Sequence, residues 1–112
     1  MAELTQLIKQ NRFKAAENLL RKKLEQEPEN VYFLAQLANA LWNLNKGEEA
    51  LTYADKAKSI SPTNPLTLFT RARVLGSLHK FEACAAEWEE LISMGEAEVA
   101  EKGFGKGWAK SV

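Results

Sequence analysis

The sequence predicts an all-α protein that stacks three helical hairpins on one another. Residue classes recur along the chain every 34 residues. Turn formers and helix caps fall at the same places within each copy, and the apolar residues follow the spacing of a helix rather than the alternation of a strand. A repeat of 20 to 50 residues is the signature of stacked repeat architectures.

The repeat is visible without any alignment to other proteins. Pro28-Glu29-Asn30 and Pro62-Thr63-Asn64 lie 34 residues apart. Further sets keep the same spacing and the same size class: Ala16, Ala50 and Cys84; Leu7, Leu41 and Leu75; Leu34 and Leu68; Ala38 and Ala72. Phe13 skips the second copy and returns as Phe81. Small and large residues held in fixed places indicate close contacts between helices.

Capping and turn residues set the helix boundaries. Asn30 and Asn64 are favourable N-caps, and Pro65 suits the first position of a helix. The residue before a proline leaves the α region, so helices end before Pro28 and Pro62. Turn residues divide each copy in its middle: Asn11, Asn45-Lys46-Gly47 and His79-Lys80.

These signals predict helices over residues 2–11, 14–26, 31–44, 47–60, 65–78 and 81–94. Gly95 is predicted to end the sixth helix in a left-handed conformation, and a separate short helix follows over 96–102. The chain then divides into a first repeat over 1–30, a second over 31–64, a third over 65–98 and a C-terminal segment over 99–112.

Composition excludes several classes of function. Fifteen basic and fifteen acidic residues balance, so no overall field attracts nucleic acid or an anionic membrane. No apolar run approaches the ~18 residues of a membrane span. The single cysteine forms no internal disulfide, and the N-terminus lacks the pattern of a signal peptide. We therefore expect a cytoplasmic protein that binds neither nucleic acid nor membrane.

No residue pattern predicts catalysis, a metal site or a cofactor. His79 and Cys84 lie five residues apart across a predicted turn, and Cys84 stands where the repeat requires a small buried residue. Gly103-Phe104-Gly105-Lys106-Gly107 superficially resembles a phosphate-binding loop, but no strand precedes it and no Ser or Thr follows its Lys. The seven acidic residues from Glu82 to Glu101 are interpreted as a solvated helix face, or alternatively as a patch for a basic partner.

The pattern resembles the tetratricopeptide repeat, a 34-residue helix–turn–helix unit with small residues at its eighth, twentieth and twenty-seventh positions and proline at its thirty-second. The second copy matches it at Leu34, Leu37, Ala38, Leu41, Ala50, Ala54, Ala57 and Pro62. The third copy matches at Leu68, Ala72, Leu75, Phe81, Cys84 and Trp88, but lacks the proline, with Glu96 in its place. The resemblance implies a right-handed α-solenoid of three hairpins with a C-terminal capping segment.

A second stripe of residues carries the candidate function. On the predicted third helix, Leu34, Leu37, Ala38 and Leu41 form the core stripe, and a second stripe lies roughly 130° around the same helix. In the family, this second position lines a concave groove. The candidate groove residues are Tyr32, Asn39, Trp42, Asn43, Leu66, Phe69 and Arg73. Packing of Tyr32, Trp42 and Phe69 against each other or the C-terminal tail is the structural alternative.

The resemblance implies a non-enzymatic scaffold that holds a peptide or helix of a partner protein in this groove. Self-assembly into a homo-oligomer, through the groove or the end repeat, is the alternative. Some family members grip a terminal carboxylate with Lys, Asn and Arg side chains. The matching positions here are Met1, Thr5, Gln36, Leu66 and Thr70, none of which has a positively charged side chain, so we expect no such binding of a terminal carboxylate. Trp108 resembles the opening of a fourth copy, and Phe104 or Trp108 is predicted to cover the third hairpin.

Overall fold

The computed structural model describes the backbone of residues 2–102 and the side chains of residues 3–95. The described part of the chain is helical, with no strand. Its six helices are α1 (Ala2–Lys9), α2 (Phe13–Gln26), α3 (Val31–Asn43), α4 (Gly47–Ile60), α5 (Pro65–Ser77) and α6 (Phe81–Lys102). The all-α prediction is confirmed, and the first five helices begin and end within two residues of their predicted bounds.

The predicted end of the sixth helix is wrong. α6 continues through Gly95 to Lys102 as one helix, so the separate helix over 96–102 does not exist. In the first two copies, Pro28 and Pro62 stand just beyond the helix end, whereas the third copy has Glu96 at that place. Without a proline to force the preceding residue out of the α region, a lone glycine weakens the helix but does not end it.

Both predicted N-caps are confirmed. The Oδ1 of Asn30 accepts a hydrogen bond from the backbone N–H of Phe33 at 3.0 Å. The Oδ1 of Asn64 accepts from the N–H groups of Leu66 and Thr67, at 3.0 and 3.3 Å. These bonds satisfy amide groups that have no partner within the helix and so fix the starts of α3 and α5.

The same turn joins the two helices of every hairpin. Asn11, Asn45 and His79 have φ values of 57°, 63° and 61°, in the left-handed region, and they lie 34 residues apart. After each one, a backbone N–H bonds to the carbonyl five residues earlier: Arg12 to Leu7 at 2.9 Å, Lys46 to Leu41 at 2.8 Å and Lys80 to Leu75 at 2.9 Å. This is the hydrogen bond of a Schellman helix ending.

The core lies between the helices of each hairpin and between successive hairpins. The helices pack in the pairs α1–α2, α3–α4 and α5–α6, and the pairs join through α2–α3, α4–α5 and α3–α5. Ala16, Ala38 and Ala50 are completely buried, because small residues let the helices approach closely. Cys84, at the place of Ala16 and Ala50, is half-buried, and its thiol donates to the carbonyl of Ala72 at 3.2 Å.

A buried carboxylate joins the first two hairpins. Glu17 of α2 is 4% exposed, and its carboxylate lies within 2.8 to 3.5 Å of cationic nitrogens of Arg21, Lys14 and Lys46. Arg21 in turn binds Glu49 and the hydroxyl of Tyr53, both in α4. Burial by itself raises the pKa of Glu17. The hydrogen bond from Arg21 and the nearby positive charges outweigh it, so this pKa lies below its ordinary value.

A second ion cluster joins the last two hairpins. Glu87 of α6 is 2% exposed and pairs with Lys58 of α4 and with Arg71 of α5, the latter at 3.2 Å. Arg71 also donates to Asp55 of α4 at 2.7 Å. The family pattern favours an apolar residue at position 71. Here an arginine fits because it brings together carboxylates of two other helices.

Candidate functional site

The predicted groove residues lie on α3 and α5, two helices that pack directly against each other. We call them the α3–α5 surface, which comprises Tyr32, Asn39, Trp42, Asn43, Leu66, Phe69 and Arg73. Tyr32 is 38% exposed and Phe69 is 37% exposed, while Leu66 and Arg73 are half-buried. Ala35, on the same stripe of α3, is buried. The surface therefore carries partly exposed aromatic side chains on adjacent helices.

The centre of this surface is a cation placed against two aromatic rings. The guanidinium carbon of Arg73 lies 4.0 Å from the centroid of the Trp42 ring and 5.3 Å from that of Phe69. Both distances are within the range of attractive cation–π contacts. The contact links α3 to α5, so the structure brings together three of the predicted residues: Trp42, Phe69 and Arg73.

Tyr32 lies at the other end of α3. Its ring centroid is 6.0 Å from that of Phe33, a buried core residue, and the planes are tilted by 59°. Leu66 holds the equivalent position one repeat later, at the start of α5. Tyr32 and Leu66 belong to the same helical stripes as Trp42, Phe69 and Arg73, but they lie at the N-terminal ends of α3 and α5.

Trp42 serves both the surface and the core. It is half-buried, and its side chain also packs against the buried cluster that contains Leu37, Leu41 and Ala38. The outer stripe on which the sequence places Trp42 is therefore not separate from the core. A large indole covers both the inner and the outer stripe, since the stripes are separated by little more than a third of the helix circumference.

Trp88 of α6 is a neighbour that the sequence stripe did not include. Its ring centroid lies 5.7 Å from that of Phe69, with the planes at 90°, which is the edge-to-face arrangement that aromatic pairs favour. The available signal was its size, because Trp88 stands where the earlier copies have Leu20 and Ala54. Because the indole of Trp88 is larger than the side chains at this position in the other copies, it reaches beyond the core of its hairpin to Phe69.

The two asparagines of α3 provide the polar groups of the surface. The Nδ2 of Asn43 donates to the backbone carbonyl of Asn39 at 2.8 Å and lies 3.4 Å from the Asn39 Oδ1. This bond orders the exposed amide of Asn43 against its own helix. Its Oδ1 remains an acceptor and the Nδ2 of Asn39 remains a donor, so the pair can still bond a peptide backbone.

Arg73 differs electrostatically from the other arginines that bridge helices. Arg21 and Arg71 each pair with two carboxylates. Arg73 has no ion pair and no hydrogen bond from its guanidinium among the side chains of residues 3–95. Burial lowers the pKa of Arg73 below its usual value. The group stays charged, because an arginine pKa starts far above neutral pH.

The residues considered for chemistry make other contacts. The Cys84 thiol donates to a backbone carbonyl, and the His79 ring lies edge-on to Phe81 at 5.6 Å. Within the described side chains, no three His, Cys, Asp or Glu residues gather as a metal site would require. No helix of the described chain is both long and apolar enough to cross a membrane. The Gly103 to Gly107 segment and the predicted cover by Phe104 or Trp108 lie outside the described residues.

Comparison with known proteins identifies the repeat. A family model described as tetratricopeptide repeat matches residues 7–66, which is more than half of the chain. No curated protein matches the sequence. The matched range contains most of the first hairpin, the whole second hairpin and the start of α5. Together with the six-helix structure and the 34-residue period, this match shows that the chain belongs to the tetratricopeptide repeat family.

Proposed function

We propose that this protein is a scaffold that holds a peptide or short helix of a partner protein on the α3–α5 surface. Tetratricopeptide repeats generally mediate protein–protein interactions, and the family is typically non-catalytic. The observation that carries the proposal is the cluster of Trp42, Phe69 and Arg73, in which aromatic rings on two helices surround a cation that has no ion pair among the described side chains. Tryptophan, tyrosine and arginine are the residue types that dominate binding energy in protein interfaces.

The exposure of the aromatic rings supports this location. About a third of the Phe69 and Tyr32 side chains remains accessible to solvent, and covering such area is favourable by roughly 25 cal/mol per Å². The amides of Asn39 and Asn43 lie on the same helix and supply a donor and an acceptor for a bound backbone. Apolar anchors with a few polar groups are what a peptide-binding surface needs. We place this binding in the cytoplasm, where the lone thiol of Cys84 is compatible with a reducing environment.

Selection from a displayed random-peptide library tests the proposal. Peptides selected on the folded chain should lose affinity about 30-fold or more for the Trp42→Ala or Phe69→Ala variant, because buried aromatic anchors contribute about 2 kcal/mol or more each. Phe81→Ala is the matched control, because Phe81 is 64% exposed and lies at the start of α6, outside the α3–α5 surface. Equal losses for all three variants, or none for the first two, would contradict the assignment.

The exposure of Phe81 supports self-association as a second candidate. Phe81 is the most exposed of the large apolar side chains in the described chain, and it lies in the third hairpin. An exposed aromatic residue on an outer helix is a suitable contact for a second copy. Light scattering across a concentration series would show an oligomer that Phe81→Ala dissociates. A chain that stays monomeric at the highest concentration would exclude this candidate.

A further inference from the structure

Arg73 lies in a place where charges are normally paired. Its guanidinium is half-buried between α3 and α5, yet no carboxylate among the described side chains approaches it. Taking a cation out of water costs free energy unless a partner or hydrogen bonds replace the water. Arg21 and Arg71, in comparable positions between helices, both meet this requirement with carboxylates.

The aromatic contact leaves the N–H donors of the Arg73 guanidinium available. The guanidinium carbon lies 4.0 Å from the Trp42 ring centroid, and none of the five N–H donors of the guanidinium has a hydrogen-bond partner among the described residues. Those donors form the fork that matches a carboxylate in a bidentate pair. The contact with Trp42 also restricts the Arg73 side chain, so less conformational entropy is lost when the pair forms.

The residues around Arg73 determine which ligand side chains would lie beside a carboxylate bound there. The ring centroids of Trp42 and Phe69 lie 4.0 and 5.3 Å from the guanidinium carbon, and the Trp88 ring forms an edge-to-face pair with Phe69. The 34-residue repeat places Arg73 level with Asn39 on α3, so Tyr32 and Leu66 lie before it along the helices, and Trp42 and Asn43 lie beyond it. A peptide that covers the surface therefore passes Arg73 partway along its length and meets apolar side chains there.

We propose that the α3–α5 surface selects acidic peptides in which an internal Asp or Glu lies among apolar residues, with its side-chain carboxylate bound by Arg73. This inference rests on the proposed peptide binding and names the chemistry of the peptide. An internal side chain fits better than a terminal carboxylate, because binding groups lie on both sides of Arg73. The ion pair between Arg73 and the peptide carboxylate would form beside aromatic side chains. It is stronger there than the same pair would be in open solvent.

The test selects peptides from a displayed random library on four immobilised proteins: the natural chain and its Arg73→Gln, Arg73→Glu and Arg12→Gln variants. Arg12→Gln removes the same charge from an exposed arginine outside the α3–α5 surface. Thermal melts first establish that all four are folded. The natural chain and Arg12→Gln should enrich peptides with an internal Asp or Glu between apolar residues. Arg73→Gln should lose that acidic preference, and Arg73→Glu should enrich Lys or Arg instead.

Synthetic copies of a selected peptide then measure the effect. Replacing its internal Asp or Glu by the amide should weaken binding to the natural chain about 10-fold or more, and change binding to Arg73→Gln by less than about 2-fold, as expected for one charge-assisted hydrogen-bonded pair. Amidation of the peptide C-terminus should have no effect. An equal loss in both proteins would overturn the assignment to Arg73.

The possible failures are distinguishable. Enrichment of peptides without any acidic preference, or a requirement for a free C-terminal carboxylate, would overturn this inference and leave peptide binding intact. Failure to enrich any peptide would overturn the proposed function and, with it, the acidic preference. Acidic peptides that are still enriched on Trp42→Ala and Phe69→Ala but depend on Arg73 would also contradict the inference. The carboxylate would then bind Arg73 without any contribution from the aromatic rings.

Discussion

Arg21 of the first hairpin lies 2.6 Å from the carboxylate of Glu49 in the second hairpin. The same guanidinium binds Glu17 on its own helix and the hydroxyl of Tyr53. Arg21 is about a third exposed, so solvent weakens the outer part of this cluster, whereas Glu17 is buried beneath it. The junction between the first two hairpins therefore contains a charged group that water cannot easily stabilise.

Acid should weaken this junction. The pKa of folded Glu17 lies below its ordinary value of 4.5, so its contribution to stability is fully present above that pH and is lost as the pH falls through the folded pKa. We expect Glu17→Gln to cost about 1–3 kcal/mol at pH 7, as for other charged hydrogen bonds. It should also flatten the fall in the free energy of unfolding below pH 4.5. Urea unfolding across this range measures both, and an unchanged pH profile would contradict the role of Glu17.

Alanine substitutions in the core should lower the free energy of unfolding more than alanine substitutions on the α3–α5 surface. Leu41 is completely buried, so Leu41→Ala should lower the free energy of unfolding by ~2–5 kcal/mol. Phe69 is 37% exposed, and Phe69→Ala should lower it by about 1–2 kcal/mol. Trp42→Ala should fall between them, since its indole packs on the core as well as on Arg73. Denaturant unfolding of the three variants gives the order. Trp42→Ala as damaging as Leu41→Ala would make Trp42 chiefly a core residue.

The left-handed turn residue should tolerate glycine but not a β-branched side chain. Asn45 has φ of 63° and an exposed side chain. Asn45→Val should destabilise by about 1–2 kcal/mol, because a Cβ with two branches clashes in this conformation. Asn45→Gly is the matched control and should change stability little, because glycine reaches the same conformation without strain. Melting temperatures compare the two directly, and equal effects would show that the turn does not constrain residue 45.

A terminal-carboxylate grip should be absent. The five matching positions are Met1, Thr5, Gln36, Leu66 and Thr70, and none has a cationic side chain. Thr70 is also buried, at 4% exposed, so it does not meet a ligand on the surface. A peptide ending in Met-Glu-Glu-Val-Asp should show no micromolar binding by fluorescence anisotropy that depends on its free C-terminus. Binding that disappears when this C-terminus is amidated would contradict the prediction.

Local chemistry in the sequence determined the helices and their order. The N-caps Asn30 and Asn64, and the left-handed residues Asn11, Asn45 and His79, act within a few residues of themselves, so a single copy of the sequence is enough to place them. The 34-residue period then repeats the result three times. Gly95 shows where local reasoning stops, because a glycine either ends a helix or continues in one, and the residues that follow decide which.

Helical spacing also predicted which residues share a stripe, but only the tertiary structure decided what each one touches. The sequence gives the angle of Trp42 and Arg73 around their helices, whereas their 4.0 Å contact depends on how closely α3 and α5 pack. The edge-to-face pair of Trp88 with Phe69 and the ion pair of Arg21 with Glu49 likewise join residues on different helices. A periodic pattern fixes directions along one helix, while distances between helices follow from the packing of every side chain between them.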